Sequence, residues 1–280
     1  MLARGLEPLL RARARRQAVP AFTAYSLEAI RAIQDAAQST GLAVIVSAGS
    51  SSFRAVGHEP LAAAALAAAT AATVPIGVHL DHATDLDEIG RCLDLGYTSV
   101  MFDGSARDFE ENVRLTRHVV ERAHAAGVWV EAELAGVPGD EDASSDAVAG
   151  ALTDPDQAAE FVKRTGVDVL AAAVGTVHGL TTVPMQLDVE RIRRIAAATR
   201  VPLALHGASG LTRAELRAAV DAGIAKVNFN AELRRACVDA LAATLPEAGD
   251  DVARLQRAAI AAMRTVAEEK LLALGEAGAP

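Results

Sequence analysis

The feature that most constrains this chain is a repeated step in which a helical stretch closes on glycine and a short buried β-rich run follows. Gly41, Gly96, Gly127, Gly166 and Gly223 all mark it. Glycine tolerates the left-handed backbone that ends a helix, so this step reads as the αβ loop of a parallel sheet. The β-rich runs are Val19–Phe22, Ala43–Ser47, Ile76–Leu80, Ser99–Phe102, Val128–Glu133, Val169–Ala173, Leu203–His206 and Ile224–Asn228. Helical patterns alternate with them: Leu27–Ser39, Pro60–Thr73, Asp87–Leu95, Phe109–Ala126, Pro155–Thr165, Val189–Ala198 and Arg213–Ala222. Several open on polar caps. Asp154 precedes a proline at the first helical position, and Thr212 with Glu215 makes a capping box.

Eight such alternations in 280 residues predict an α/β chain, a single (β/α)8 TIM barrel spanning 1–280. The helical segment after residue 245 is expected to close the barrel or to serve an oligomer contact. Neither GxGxxG nor a P-loop occurs, which removes the main argument for an open nucleotide-binding sheet. No linker, repeat or low-complexity tract marks a second domain.

Composition narrows the class further. Only 3% of residues are aromatic, but 51% are hydrophobic, and Ala-rich helices with Val/Ile/Leu strands can fill a core. A net charge of −9 gives no general footprint for nucleic acid. Cys92 and Cys237 are far apart in helical patterns, so they read as reduced, buried and small rather than as a disulfide or metal pair. Arg4, Arg11, Arg13, Arg15 and Arg16 precede no apolar h-region and read as a solvated helix, not a secretory signal. The stretch Leu61–Leu80 is broken by Pro75 and Gly77 and runs into Asp81-His82, so no membrane span is expected. The chain is expected in the cytoplasm.

Barrel enzymes work at the C-terminal ends of their strands. Asp81-His82 follows the third run and Asp103 the fourth, while Glu131 and Glu133 lie in the fifth. His178 follows the sixth run, His206 ends the seventh, and Asn228-Phe229-Asn230 ends the eighth. One histidine at a strand end is ordinarily a hydrogen-bonded structural residue, and His58, His79, His118 and His124 take that reading. Three at one mouth, His82, His178 and His206, instead match a three-histidine zinc site with an open position. The loops Leu134–Leu152 and Val174–Asp188 are the longest in the chain, and long βα loops usually carry function. The first is Gly- and acid-rich from Ala135 to Asp142, which suits either a flap or a solvated surface loop. Gly207-Ala208-Ser209-Gly210 and Asn228–Ala231 occupy the loops where barrels often hold phosphate.

At these motifs the sequence resembles the class II fructose-bisphosphate/tagatose-bisphosphate aldolase family, from about Val19 to Val266. The matching stretches are His79-Leu-Asp-His82-Ala83, Ser99–Ser105, Val130–Leu134, Gly166–Asp168, Val174–Gly179, His206–Gly210 and Lys226-Val-Asn228. The resemblance implies that His82, His178 and His206 bind catalytic Zn2+. It implies that Asp81 exchanges a proton with the C4 oxygen and that Glu141 handles the C3 proton. Asp103 and Glu133 match a second, weaker metal position. Gly179, Gly207, Ala208, Ser209, Asn228, Phe229, Asn230 and Ala231 match the dihydroxyacetone phosphate pocket, where a monovalent cation also sits in some members. The implied partners are a phosphorylated ketose, dihydroxyacetone phosphate and copies of the same chain, in a homodimer or homotetramer.

Such a metal acts as a Lewis acid on the ene-diolate left by ketol cleavage. Otherwise the chemistry calls for a lysine Schiff base, and of Lys163, Lys226 and Lys270 only Lys226, inside the eighth run, merits a test. Three positions depart from the family pattern: Thr23 replaces the usual Asn, Ala231 the usual Thr, and Ser47–Ser51 differs after the second run. Asn230 is the obvious compensator for Ala231. These departures leave open an aldolase for another sugar or sugar-acid phosphate. A non-catalytic barrel subunit of an aldolase complex is the rival from another class, and the intact Asp81, Glu141 and histidines weigh against it.

Overall fold

The computed structural model describes residues 1–139, 150–180 and 185–276. Eight parallel strands close into a barrel in chain order, each paired with its sequence neighbour and β8 with β1. They are β1 (Val19–Thr23), β2 (Val44–Ala48), β3 (Ile76–Ala83), β4 (Ser99–Asp103), β5 (Trp129–Glu133), β6 (Val169–Ala171), β7 (Leu203–Leu205) and β8 (Ile224–Phe229). Helix α1 (Glu7–Ala14) precedes the barrel, and α2 (Leu27–Thr40) links β1 to β2. Two helices, α3 (Ser50–Val56) and α4 (His58–Ala71), follow β2, and the short α3 escaped the sequence reading. The outer ring continues with α5 (Leu86–Leu95), α6 (Phe109–Ala125), α7 (Pro155–Thr165), α8 (Val189–Thr199) and α9 (Arg213–Ala222). Beyond β8, α10 (Ala231–Ala248) and α11 (Val252–Gly275) pack on each other, and α11 covers α2. The chain is thus a (β/α)8 barrel with extra helices.

Local chemistry explains the joints. Asp85, Asp108, Asp154 and Thr212 each accept a backbone N–H at a helix start, and the Thr212–Glu215 box forms. Gly41, Gly96 and Gly166 close their helices in the left-handed region. Cys92 is buried as expected, whereas Cys237 is only partly so, because the amphipathic face of α10 is poorly covered.

Two cores divide the work. The large one lies between the outer face of the sheet and the helices, and includes Phe22, Ile33, Leu80, Phe102, Phe161 and Phe229. The small one fills the barrel's N-terminal half with Val19, Ala21, Ile45, Met101, Trp129, Val169, Ala171 and Ala204. Leu9 and Ala12 of α1 belong to it, so that helix plugs the barrel from below. Since strand side chains alternate between faces, the same inward columns continue upward as Ser47, His79, Asp81, Asp103, Glu131, Glu133, His206, Lys226 and Asn228. The barrel interior is therefore apolar at its base and polar toward its mouth.

Candidate metal and catalytic site

Strand β3 shapes the site. It runs on to Ala83, three residues past the sequence-based end at Leu80, and its pairing with β4 shifts between Leu80 and Ala83. His82 adopts φ 47° there. In a regular strand His82 would share the outward face of Leu80, because alternate residues point the same way. The irregularity turns it inward instead, a local strain of the kind that collects at functional sites.

The three expected histidines meet. Ring centroids lie 4.6 Å apart for His82 and His206, 4.9 Å for His82 and His178, and 5.9 Å for His178 and His206. One ring nitrogen from each falls within 4.8 Å of the others. Glu131 Oε1 lies 2.7 Å from His206 Nε2, and Asp103 Oδ2 lies 3.1 Å from His82 Nδ1. An imidazole nitrogen donating to a carboxylate carries the ring's proton, which leaves a lone pair on the opposite nitrogen. Those opposite nitrogens, His206 Nδ1 and His82 Nε2, face each other at 2.7 Å. Two lone pairs at that separation repel unless a cation lies between or beside them, so the donor set suits a divalent ion. Burial also lowers the pKa of His206, which favours the neutral ring that a metal requires.

Loops from two strands hold these rings in place. The His178 N–H donates to Pro138 O at 2.7 Å, and a Cβ on Gly139 would fall 2.6 Å from His178 O. Pro138 and Gly139, just beyond β5, are thereby latched to a candidate ligand. Thr176 Oγ1 donates to His206 O at 2.7 Å, and a Cβ on Gly207 would fall 2.4 Å from Val177 O. Glycine is required at 207, where φ is also +64°.

Asp81 lies beside the cluster and is buried. Asn228 Nδ2 donates to both its carboxylate oxygens, at 3.1 and 3.0 Å. Lys226 Nζ donates to Asn228 Oδ1 at 2.7 Å and pairs with Glu131 Oε2 at 2.9 Å. This lysine is fully buried with its ammonium engaged, which removes the sequence-based reason to test it as a Schiff-base nucleophile. His79 is packed as expected, stacked on Trp129 and 2.9 Å from Ser99 Oγ.

Charge follows this geometry. Burial would raise Glu131, yet Lys226 and the His206 hydrogen bond hold it well below the usual carboxylate range. Burial and the charge of Lys226 push His79 down to about 3, so it stays neutral. Burial would also raise Asp103, but hydrogen bonds from His82 and Ser105 keep it low. Glu133 is less well supported: burial pushes it up to about 8, against the pull of His82 and the hydrogen bond from Val137 N–H.

Asp103 and Glu133, expected at a second metal position, do cluster with His82, through the other face of its ring. Asp103 is already committed to His82 Nδ1 and to Ser105, so it also fixes the ring that faces His206. Among the expected phosphate residues, Gly179, Gly207, Ala208 and Ser209 are buried where β6 and β7 end. Ala231 opens α10, and Gly210 N donates to Glu232 Oε1 at 2.9 Å. Two expectations change. The Phe229 side chain stacks on Phe22 in the outer core, because alternation sends it away from Asn228, so only its backbone can serve a ligand. One Asn230 Nδ2 hydrogen goes to Tyr25 Oη at 2.8 Å, so that donor is not directed at an anion. Glu141 and its neighbours Asp140 and Asp142 lie outside the described residues.

The roles of Glu131, Lys226 and Tyr25 escaped sequence reasoning. A lysine inside a buried strand was the available signal, since a buried ammonium requires an acceptor on a facing strand.

The family model "Fructose-bisphosphate aldolase class-II" matches residues 4–279. Over 262 residues the chain is 39% identical to "Uncharacterized protein YdjI" of Escherichia coli strain K12, covering 93% of each sequence. The crystal structure of the YdjI aldolase from that strain resembles it with TM-score 0.89 and 36% identity, over 99% of both chains. A putative fructose-1,6-biphosphate aldolase from Coccidioides immitis gives TM-score 0.88 at 36% identity, covering 98% of this chain and 97% of the other. The fructose-bisphosphate aldolase of Campylobacter jejuni, at 22% identity and TM-score 0.84, shares the fold.

Proposed function

The chain belongs to the class II fructose-bisphosphate aldolase family, and from that premise we propose that it is a zinc-dependent aldolase releasing dihydroxyacetone phosphate from a phosphorylated ketose. The observation that carries this reading is the pairing of a three-histidine cluster with a buried carboxylate, Asp81, held by Asn228. When bound, Zn2+ supplies Lewis acidity for negative charge developing at C3 and the C2 oxygen. His82, His178 and His206 would hold it.

Asp81 takes the C4 hydroxyl proton as the C3–C4 bond breaks. Asn228 donates to both its oxygens, which fixes the carboxylate plane and leaves further lone pairs for that proton. Glu141 returns a proton to C3. The support for that role is that Pro138, three residues before it in the chain, is hydrogen-bonded to His178. Backbone N–H groups of Gly207–Ser209 and Asn228–Ala231 receive the donor phosphate. Asp103 and Glu133 offer a weaker position for a second divalent ion, and a monovalent cation would sit in the phosphate pocket.

A second substrate reading, another phosphorylated sugar or sugar acid, is favoured by Thr23, by Ala231 and by the Asn230–Tyr25 bond at the same mouth. A homodimer or homotetramer is supported by the exposed Val238, Leu241 and Leu245, which share one face of α10. Work in the cytoplasm is supported by two free cysteines. No described helix is long and apolar enough to cross a membrane. A cleavage screen of fructose, tagatose and related ketose phosphates, with metal analysis of the purified chain, tests the reading. Release of dihydroxyacetone phosphate by zinc-loaded protein supports it. Loss of no substrate in the panel overturns it.

A further inference from the structure

We propose that Lys226 is a positioning residue that braces the metal cluster and the proton acceptor together, an inference that rests on the function proposed above. Its ammonium is fully buried in the barrel and holds two arms, one by an ion pair and the other by a hydrogen bond. One arm is the ion pair to Glu131 Oε2 at 2.9 Å, and Glu131 Oε1 accepts a hydrogen bond from His206 Nε2 at 2.7 Å. The other runs to Asn228 Oδ1 at 2.7 Å, and Asn228 Nδ2 reaches both oxygens of Asp81.

The chemistry of each link is one-directional. An ammonium has three donors and no acceptor, so the Asn228 oxygen must face Lys226 and the amide N–H groups must face Asp81. With Lys226 replaced by an apolar residue, the Asn228 amide can turn over, and an amide oxygen then opposes the Asp81 carboxylate. On the first arm, Lys226 balances the charge of Glu131, leaving that carboxylate a fixed acceptor for His206. The His206 proton then stays on Nε2 and its lone pair on Nδ1, toward His82. Outer hydrogen-bond partners of this kind set ligand tautomer and metal affinity. Lys226 reaches neither the histidine cluster nor Asp81 directly. It acts through Glu131 and Asn228.

The test uses Lys226→Met and, because an unbalanced Glu131 can prevent folding, the charge-neutral pair Lys226→Met/Glu131→Gln. In metal-free 15N-labelled protein, the wild type should show His206 as a single Nε2–H tautomer and a protected Asn228 side-chain amide. Lys226→Met should scramble the tautomer, expose the amide and weaken zinc binding in chelator competition by roughly 10- to 100-fold. It should lower kcat for cleavage with little change in KM. The double variant retains an acceptor for His206, so it should lose the Asn228 amide signature while retaining the His206 tautomer. A folded variant, single or double, that keeps the wild-type Asn228 amide resonance overturns the brace. The spectra need no substrate. A wild type without aldolase activity would therefore defeat the proposed function and leave the brace to be decided by the spectra.

Discussion

His206 Nδ1 lies 2.7 Å from His82 Nε2, although carboxylates hold the proton on the far side of both rings. A divalent ion bound by these two nitrogens competes with protons for their lone pairs. Zinc binding should therefore release protons and weaken as pH falls. Calorimetry in buffers of different ionisation enthalpy reads this directly, and a buffer-independent heat would refute it. Chelation should abolish cleavage, with recovery on Zn2+ or Co2+. Borohydride with substrate should not inactivate, because the Lys226 ammonium is buried and engaged.

Asp81→Ala and Glu141→Ala should fail at different steps. Loss of Asp81 should abolish cleavage but leave solvent exchange at C3 of dihydroxyacetone phosphate. Loss of Glu141 should suppress that exchange. Equal exchange rates in the two variants would end the division of labour.

The Asn230–Tyr25 bond changes what is expected of the donor phosphate. Since one Asn230 donor goes to Tyr25 Oη, Asn230→Ala and Tyr25→Phe should act as one unit. Their effects on KM should be non-additive, with a coupling of about 0.5–1.5 kcal/mol, the size of a neutral hydrogen bond. Ala231→Thr adds a hydroxyl where the family resemblance places one, and a bond to a charged group contributes about 1.5–3 kcal/mol. KM for dihydroxyacetone phosphate should fall about tenfold or more on that basis. An unchanged KM in all three variants would move the phosphate away from β7 and β8.

Gly207→Ala should damage the site without replacing a metal ligand. Its left-handed backbone alone costs a side chain about 1–3 kcal/mol. The new Cβ would also meet Val177 O at 2.4 Å, displacing the segment that leads to His178. Lowered zinc affinity and a lower Tm are expected together, and wild-type values for both would show the loop to be freely adjustable.

The two thiols should separate by pH. Burial pushes Cys92 up from 9.0 to about 12 and raises Cys237 less strongly. The thiolate is the reactive form, so at pH 8–9 native protein should label at Cys237 and unfolded protein at both. Cys92 loses its proton in the unfolded chain near its ordinary value but keeps it when folded. Its contribution to stability is thus complete below about pH 9 and declines as pH rises toward 12. Rapid native labelling of Cys92 at pH 8 would contradict its burial.

Much of this protein is determined by local pattern alone. Hydrophobic period, polar caps and closing glycines such as Gly41 and Gly166 specify eight βα units, because these devices act within a few residues of chain. The histidines and carboxylates at or just beyond run ends mark the mouth for the same reason, since their position along the chain fixes which end of the barrel they reach. What the sequence could not carry is any pairing across the barrel. Asp81 meets Asn228 from β3 to β8, and Glu131 meets Lys226 from β5 to β8, contacts between residues roughly 100 or more apart. His82 joins the cluster only because β3 breaks its register, an irregularity that a strict period of two assigns to the wrong face. Asn230 likewise reads as an anion donor, whereas closure of β8 on β1 commits one of its amide hydrogens to Tyr25. Local propensity chooses the elements. Which polar group satisfies which other depends on barrel closure, because burial makes every unpaired charge costly and the nearest partner lies on another strand.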